Sequence, residues 1–120
     1  MPRKAFAHDA VVVMRDGGSP NALGGAVTKT LCGSWNHSPP CPLAPHYVSS
    51  VAVGEEVAVR VVFATEQSNE HRVRDLIGEA LAGGQLTVPD GGIAYWELRS
   101  ESPGSLRADE KDLAADLIAH

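Results

Sequence analysis

Residues 47–64 read YVSSVAVGEEVAVRVVFA, two valine-rich runs joined by a short polar connection that contains a glycine. Valine favours strands, and such a connection between two strand-forming runs is typical of a β-hairpin. We therefore predict strands over residues 47–53 and 57–64. In the second strand, alternation predicts one face made of Val57, Val59, Val61 and Phe63 and an opposite face made of Ala58, Arg60, Val62 and Ala64. The second face is too apolar to be covered by water alone.

The chain after the hairpin predicts a helix and a further strand. Apolar residues recur at helical spacing at Val73, Leu76, Ile77, Ala80 and Leu81. This spacing predicts a helix over residues 68–82, which Gly83 and Gly84 then end. Residues 93–99 predict a strand that contains Tyr95 and Trp96, and residues 86–88 predict a short strand before it.

The chain before the hairpin predicts one strand and one helix. A run of three valines suits a buried strand over residues 9–15. The pair Ser19 and Pro20 is a helix-start signal, so we predict a helix over residues 20–31. Gly24 and the glycine that follows it weaken this helix, and a β-hairpin through the two glycines is the alternative.

The order strand, helix, strand, strand, helix, strand predicts an α+β fold of the ferredoxin-like βαββαβ type. Its antiparallel sheet would carry both helices on one face. We expect a single domain over residues 1–120 that closes with a linker and an amphipathic helix within residues 100–120. The other sheet face needs a cover, and the sequence does not choose between the closing helix and a second subunit in a homodimer.

The segment 32–46, CGSWNHSPPCPLAPH, holds both cysteines of the chain and two of its histidines. Thiolate and imidazole are ligands that Zn²⁺ selects, and two of each close a tetrahedral site. Four prolines also restrict the backbone of this segment. The pattern predicts a metal site, with zinc as the preferred ion, made by Cys32, His37, Cys41 and His46.

Other interpretations of this Cys/His loop stay open, because its alternating order differs from the usual paired spacing of structural zinc sites. The loop could form the active site of a small enzyme in two ways. Three protein ligands could leave the fourth coordination position of the metal to a water molecule, or a cysteine thiolate could act as nucleophile with a histidine as its base. In the second case Trp35 and Tyr47 would wall the pocket. It would otherwise be a packed loop of an interaction module. The sequence does not identify a reaction, a substrate or a small-molecule ligand.

Charge and composition exclude some classes of partner. The 120 residues hold 10 basic and 15 acidic side chains, for a formal net charge of −5. Nucleic acids and anionic membranes bind basic surfaces, so neither is expected as a partner. Arg72 and Arg74 are expected on the solvated side of their helix. We found no signal peptide or membrane-spanning pattern and expect a cytoplasmic protein with reduced thiols.

Overall fold

Five antiparallel strands and three helices make up the described part of this chain in a computed structural model, which covers residues 3–15, 21–32, 45–87 and 92–119. The strands are β1 Arg3–Arg15, β2 His46–Val53, β3 Glu56–Glu66, β4 Gln85–Thr87 and β5 Ile93–Gly104. The helices are α1 Asn21–Cys32, α2 Glu70–Ala82 and α3 Lys111–Ala119. The architecture is therefore mixed α+β, as predicted.

The sheet has the strand order β2-β3-β1-β5-β4. Its starting unit is the predicted β2–β3 hairpin, in which Val53 faces Glu56 across the turn. Gly54 adopts a positive φ of 64° in that turn, a conformation that costs glycine little. β1 then pairs with β3 on one side and with β5 on the other, so that β1 is the central strand.

Helices α1 and α2 pack against each other and against one side of the sheet, which we call the helical face. Apolar residues of β1, β3 and β5 on this face contact the apolar stripes of both helices. The fully buried side chains of this core include Val12, Leu23, Val27, Phe63, Val73, Ile77 and Leu81. The segment with the glycine pair is helical, because its apolar stripe is buried in this core and offsets the glycine cost.

Helix α3 packs on the opposite side of the sheet, which we call the α3 face. Val62 and Ala64 of β3 point to this side and contact Leu113 and Leu117 of α3. The closing helix therefore covers part of the second face, one of the two covers that the sequence left open. This apolar cluster is much smaller than the core of the helical face.

Two predicted strands, β1 and β5, are much longer in the structure. β1 begins at Arg3, well before residue 9. β5 continues through Gly104, so the first part of the expected linker is a strand whose backbone pairs with β1. The pairing shifts register between Val11 and Val12, which indicates a β-bulge opposite residues 98–100. β4 pairs with β5 and adds an edge strand to the predicted sheet.

Candidate functional site

The Cys/His loop joins the end of α1 to the start of β2. Cys32 is the last residue of α1, and His46 is the first residue of β2. Pro45 is buried, and its carbonyl accepts a hydrogen bond from the Ala64 amide at 2.9 Å, which extends the β2–β3 ladder into the loop end. The backbone on the His46 side of the loop is therefore fixed by the sheet.

The His46 ring lies against α1. Its Nε2 is 2.9 Å from the hydroxyl of Thr28, in a partly buried position. Residues four apart on a helix share a face, so the position of Cys32 lies one turn beyond Thr28 on that same side. The first and the last predicted ligand positions therefore come from neighbouring parts of the fold.

The other predicted ligands lie outside the described residues: His37, Cys41 and the side chain of Cys32. Trp35, the expected pocket wall, also lies outside them, whereas Tyr47 is exposed. Within the described ranges, no three His, Cys, Asp or Glu side chains converge in a group that suits a metal ion. The metal site over Cys32, His37, Cys41 and His46 stays a prediction.

A buried histidine on the helical face forms a separate polar cluster. His8 of β1 is 4% exposed, and its Nε2 is 3.1 Å from Oε1 of Glu101 in β5. Its Nδ1 is 3.2 Å from Nη1 of Arg74. Arginine only donates, so Nδ1 accepts and Nε2 carries the hydrogen that Glu101 accepts. Gly78 of α2 leaves room for this carboxylate, since a side chain there would meet it at 2.7 Å.

Arg74 belongs to this cluster, and the expectation that it lies on the solvated side of its helix is wrong. Its Nη1 donates to the Ala7 carbonyl at 2.6 Å, and its Nε donates to Glu70 at 2.9 Å. Its guanidinium also stacks 5.4 Å from the ring centre of Phe63. Helical spacing alone could not predict the burial of Arg74, because the polar atoms that make this burial favourable belong to β1. Every polar atom of His8 is occupied, which is typical of a structural role.

A row of polar side chains crosses the α3 face from one strand to the next. Backbone register places Ser49 of β2 opposite Arg60 of β3, Arg60 opposite Asp9 of β1, and Asp9 opposite Ser102 of β5. A second row beside it is mostly apolar, with Val51, Ala58, Val11 and Ser100. The sheet thus presents a polar strip next to a small apolar strip.

Arg60 is the centre of an ion-pair network on this strip. Its Nε and Nη2 donate to the two carboxylate oxygens of Glu110 at 2.8 Å each, and its Nη1 donates to Oδ1 of Asp9 at 2.8 Å. The Arg60 and Glu110 side chains are only 14% and 9% exposed, whereas Asp9 is 42% exposed. Glu110 lies in the turn before α3, so the network ties that helix to the sheet.

Hydrogen bonding in this network shifts both partners towards their charged forms. The bonds from Arg60, together with the Arg107 amide, lower the pKa of the Glu110 carboxyl to about 2, although burial acts in the opposite direction. The bonds to Glu110 and Asp9 raise the pKa of Arg60 above its ordinary value. Arg60 and Glu110 are therefore both charged at ordinary pH.

A cavity of about 490 Å³ opens beside this network on the α3 face. Asp9 and Arg60 line one part of it, and Val11, Val51 and Ala58 line another. No motif in the sequence points to this site. The one available signal was Arg60 itself, a charge inside an otherwise apolar strand, which needs a partner when the strand is buried. The partners, Asp9 and Glu110, lie too far away in sequence to be recognised.

Comparison with known proteins gives no match: no protein-family model and no curated protein corresponds to this chain. Across the described helices, none is long and apolar enough to cross a membrane.

Proposed function

We propose that this protein is a metal-binding domain of accessory or regulatory type. The ion, preferably zinc, would be held by Cys32, His37, Cys41 and His46. The observation that carries the proposal is the 2.9 Å contact between His46 and Thr28, because it fixes an imidazole one helical turn from the position of Cys32. A loop whose two ends are held this close can fold over a single ion.

The Thr28 contact also suits the chemistry of a histidine ligand. Imidazoles that bind metals usually make a hydrogen bond through their second ring nitrogen, which fixes the ring and its tautomer. In this arrangement Nε2 of His46 would donate to the Thr28 hydroxyl, and this contact would fix the orientation of the imidazole ring. Thr28 would then act as a positioning residue for the metal site.

Elemental analysis of untagged protein tests the proposal directly. We expect about one zinc per chain in the wild type, and a large loss of zinc in Cys41→Ser and His46→Gln. His71→Gln is the matched control, because His71 is an exposed histidine on α2 whose contact is an exposed Asp75. Wild-type protein without metal, even after purification with added zinc, would refute the proposal.

Thermal melts with a strong chelator add an independent readout. A metal bound only by the folded state stabilises it, so the wild type should melt several degrees lower with chelator. For a domain of about this size, 1 kcal/mol corresponds to roughly 4 °C or more. The His46→Gln melt should not respond to chelator. X-ray absorption then distinguishes four sulfur and nitrogen ligands from an open site with bound water, which would favour the enzyme alternative.

For the fold, we propose a ferredoxin-like arrangement extended by one strand. Support comes from the strand order, which becomes β2-β3-β1-β5 when the short edge strand β4 is set aside. Every strand pair among the described residues is antiparallel, and α1 and α2 share one face. A solution structure in which β4 takes a central position would contradict this proposal.

For the partner, we propose a homodimer through the part of the α3 face that α3 leaves open. Apolar residues of this open patch are Val11, Val13, Val51, Val53, Ala58, Ile93 and Tyr95, and several of them are half or more exposed. None of these side chains carries a charge, so a second copy of the same patch fits better than a charged partner.

Light scattering across a range of protein concentrations tests the dimer. We expect a dimer for the wild type and a monomer for Val51→Glu, since this change places a charge inside the proposed interface. Ile118→Glu is the matched control, because Ile118 is an exposed apolar residue of α3 outside the open patch. A wild type that is monomeric at high concentration would contradict the proposal.

A further inference from the structure

The open patch on the α3 face carries unpaired acidic side chains at one end. Glu55 lies in the turn of the β2–β3 hairpin, Glu56 lies opposite Val53, and both glutamates are exposed. Opposite residues of an antiparallel pair point to the same face, so the Glu56 side chain shares the α3 face with Val53. Among the described residues, neither glutamate belongs to an ion pair. This end of the patch therefore has two negative charges available for a partner.

The other end of the patch is basic. Arg15 is the last residue of β1 and lies opposite Tyr95 of β5. Arg15 and Arg99 share the carboxylate of Glu97, and all three side chains are about half exposed. Two arginines and one glutamate leave one net positive charge at this end. The patch therefore has ends of opposite charge.

The order of the strands separates the apolar residues of the patch into two halves. The hairpin half consists of Val51, Val53 and Ala58, and the β5 half consists of Ile93 and Tyr95. The central strand β1 lies between the two halves. In an isologous contact, residue i of one copy meets residue j of the other, and j meets i. A two-fold axis across the middle of the patch therefore places each hairpin half on the β5 half of the other copy.

Charge decides between the two simplest orientations of such a dimer. With the axis across the patch, each acidic hairpin end meets the basic end of the other copy. With the axis along the length of the patch, Glu56 would approach Glu56 of the second copy, and like charges in an interface oppose binding. The first orientation combines apolar contact with opposite charges at both ends of the interface.

We propose that the two copies of the homodimer exchange halves of the open patch, so that Glu56 of each copy forms an ion pair with Arg15 of the other. This inference rests on the homodimer proposed above and adds its orientation and the charged residues that select a second copy of this chain. Arg15 is 51% exposed and can turn from Glu97 to the second copy, since Glu97 keeps its contact with Arg99. The apolar halves supply affinity, and the charged ends fix the orientation.

Charge reversal at the two ends tests this orientation. Glu56→Arg and Arg15→Glu each place like charges at both ends of a homodimer, so each should weaken the dimer by about tenfold or more in sedimentation equilibrium. An equimolar mixture of the two variants restores opposite charges at both ends of the heterodimer. Native mass spectrometry should then show far more heterodimer than random pairing gives. Glu79→Arg is the matched control, because it makes the same charge change at an exposed position of α2, outside the patch.

Wild-type protein provides a second readout if a charge variant fails to fold. In dimers of labelled and unlabelled copies, isotope-filtered NMR should detect contacts of the Tyr95 ring with methyl groups of Val51 or Val53. Within one copy β3 and β1 separate these strands, so such contacts must cross the interface. Unchanged affinity of both charge variants, random pairing in their mixture, or absence of these contacts in a wild-type dimer overturns the orientation and leaves the homodimer standing. A monomeric wild type refutes both.

Discussion

The two faces of the sheet are stabilised by different interactions. The helical face buries a continuous apolar core under two helices, and its buried histidine, His8, has both ring nitrogens in hydrogen bonds. The α3 face has a small apolar cluster under one helix, a buried arginine that two carboxylates hold, and a cavity beside it. Burial of apolar side chains is the main stabilising interaction on the helical face. On the α3 face, ion pairs hold the polar side chains in place.

This contrast separates the part of the domain that determines stability from the part that is available for binding. A core filled to close-packed density leaves no space for a ligand, and its polar atoms are already paired. The α3 face keeps a cavity that is lined by a partly exposed carboxylate and by apolar side chains. We therefore expect core substitutions to act on stability, and substitutions near the cavity to act on binding as well.

The largest expected effect is the loss of a core side chain on the helical face. Ile77→Ala should lower the free energy of unfolding by about 3–4 kcal/mol, because Ile77 is fully buried and the surrounding helices relax only partly into the cavity. Urea denaturation measures this change. Ile118→Ala, on the exposed side of α3, is the control and should change the free energy by less than about 1 kcal/mol.

Removal of the arginine on the α3 face should have the next largest effect. Arg60→Met leaves Glu110 buried without its partner, which should lower the free energy of unfolding by about 2–3 kcal/mol. A further Glu110→Gln change should restore part of that loss, since it removes the unpaired charge. If the double variant were no more stable than Arg60→Met in urea denaturation, the buried charge would not be the cause.

Acid should weaken the attachment of α3 before it affects the helical face. The folded-state pKa of Glu110 is lowered to about 2 from an ordinary value of 4.5. The stabilisation by this group is therefore complete above about pH 4.5 and is lost as the pH falls towards 2. Glu110→Gln should be less stable at pH 7 by about 1–2 kcal/mol and should depend less on pH in that window.

Asp109→Asn is the control for this pH dependence, because Asp109 is an exposed neighbour whose carboxylate is 3.5 Å from Arg107. It should keep the wild-type slope between pH 4.5 and pH 2. Identical slopes for the wild type and Glu110→Gln would show that the Arg60–Glu110 pair does not control acid stability.

The smallest expected effect concerns an exposed ion pair of the same sheet. Glu97 pairs with Arg15 and Arg99, and all of these side chains are close to half exposed. Because solvent screens exposed pairs, Glu97→Gln should change the free energy of unfolding by less than about 0.5 kcal/mol. If Glu97→Gln lowered the free energy of unfolding as much as Arg60→Met, burial would not determine how strongly an ion pair stabilises this fold.

Periodic segments were predictable because their side chains and their backbone favour the same structure. The β2–β3 hairpin, both large helices and the closing helix follow from valine runs, helical spacing and turn glycines. The path of β5 was not predictable, since its second half contains serines, glutamate and Pro103. Pairing with β1 keeps this half in the sheet. No local sequence pattern identifies a partner strand that lies so far away along the chain.

The two candidate sites differ in the same respect, since one was visible in the sequence and the other was not. Cys and His can be recognised as potential metal ligands in any sequence, so the Cys/His loop and its predicted ligands could be named from the sequence. The structure adds the contact of His46 with Thr28. The cavity was missed because Asp9, Arg60 and Glu110 look like ordinary surface charges. Their roles depend on strand register and on the docking of α3, which bring Asp9 and Glu110 each within 2.8 Å of the Arg60 guanidinium.

By itself, the sequence determined which segments become strands and helices and which faces of them are apolar. Local propensity and periodicity carry that information. Only the tertiary structure decided that α3 covers part of the second face, that Arg74 is partly buried beside His8, and that Asp9 lines a cavity. These outcomes depend on contacts between residues far apart in the chain, and the free energy of such a contact exists only when the fold brings both partners together.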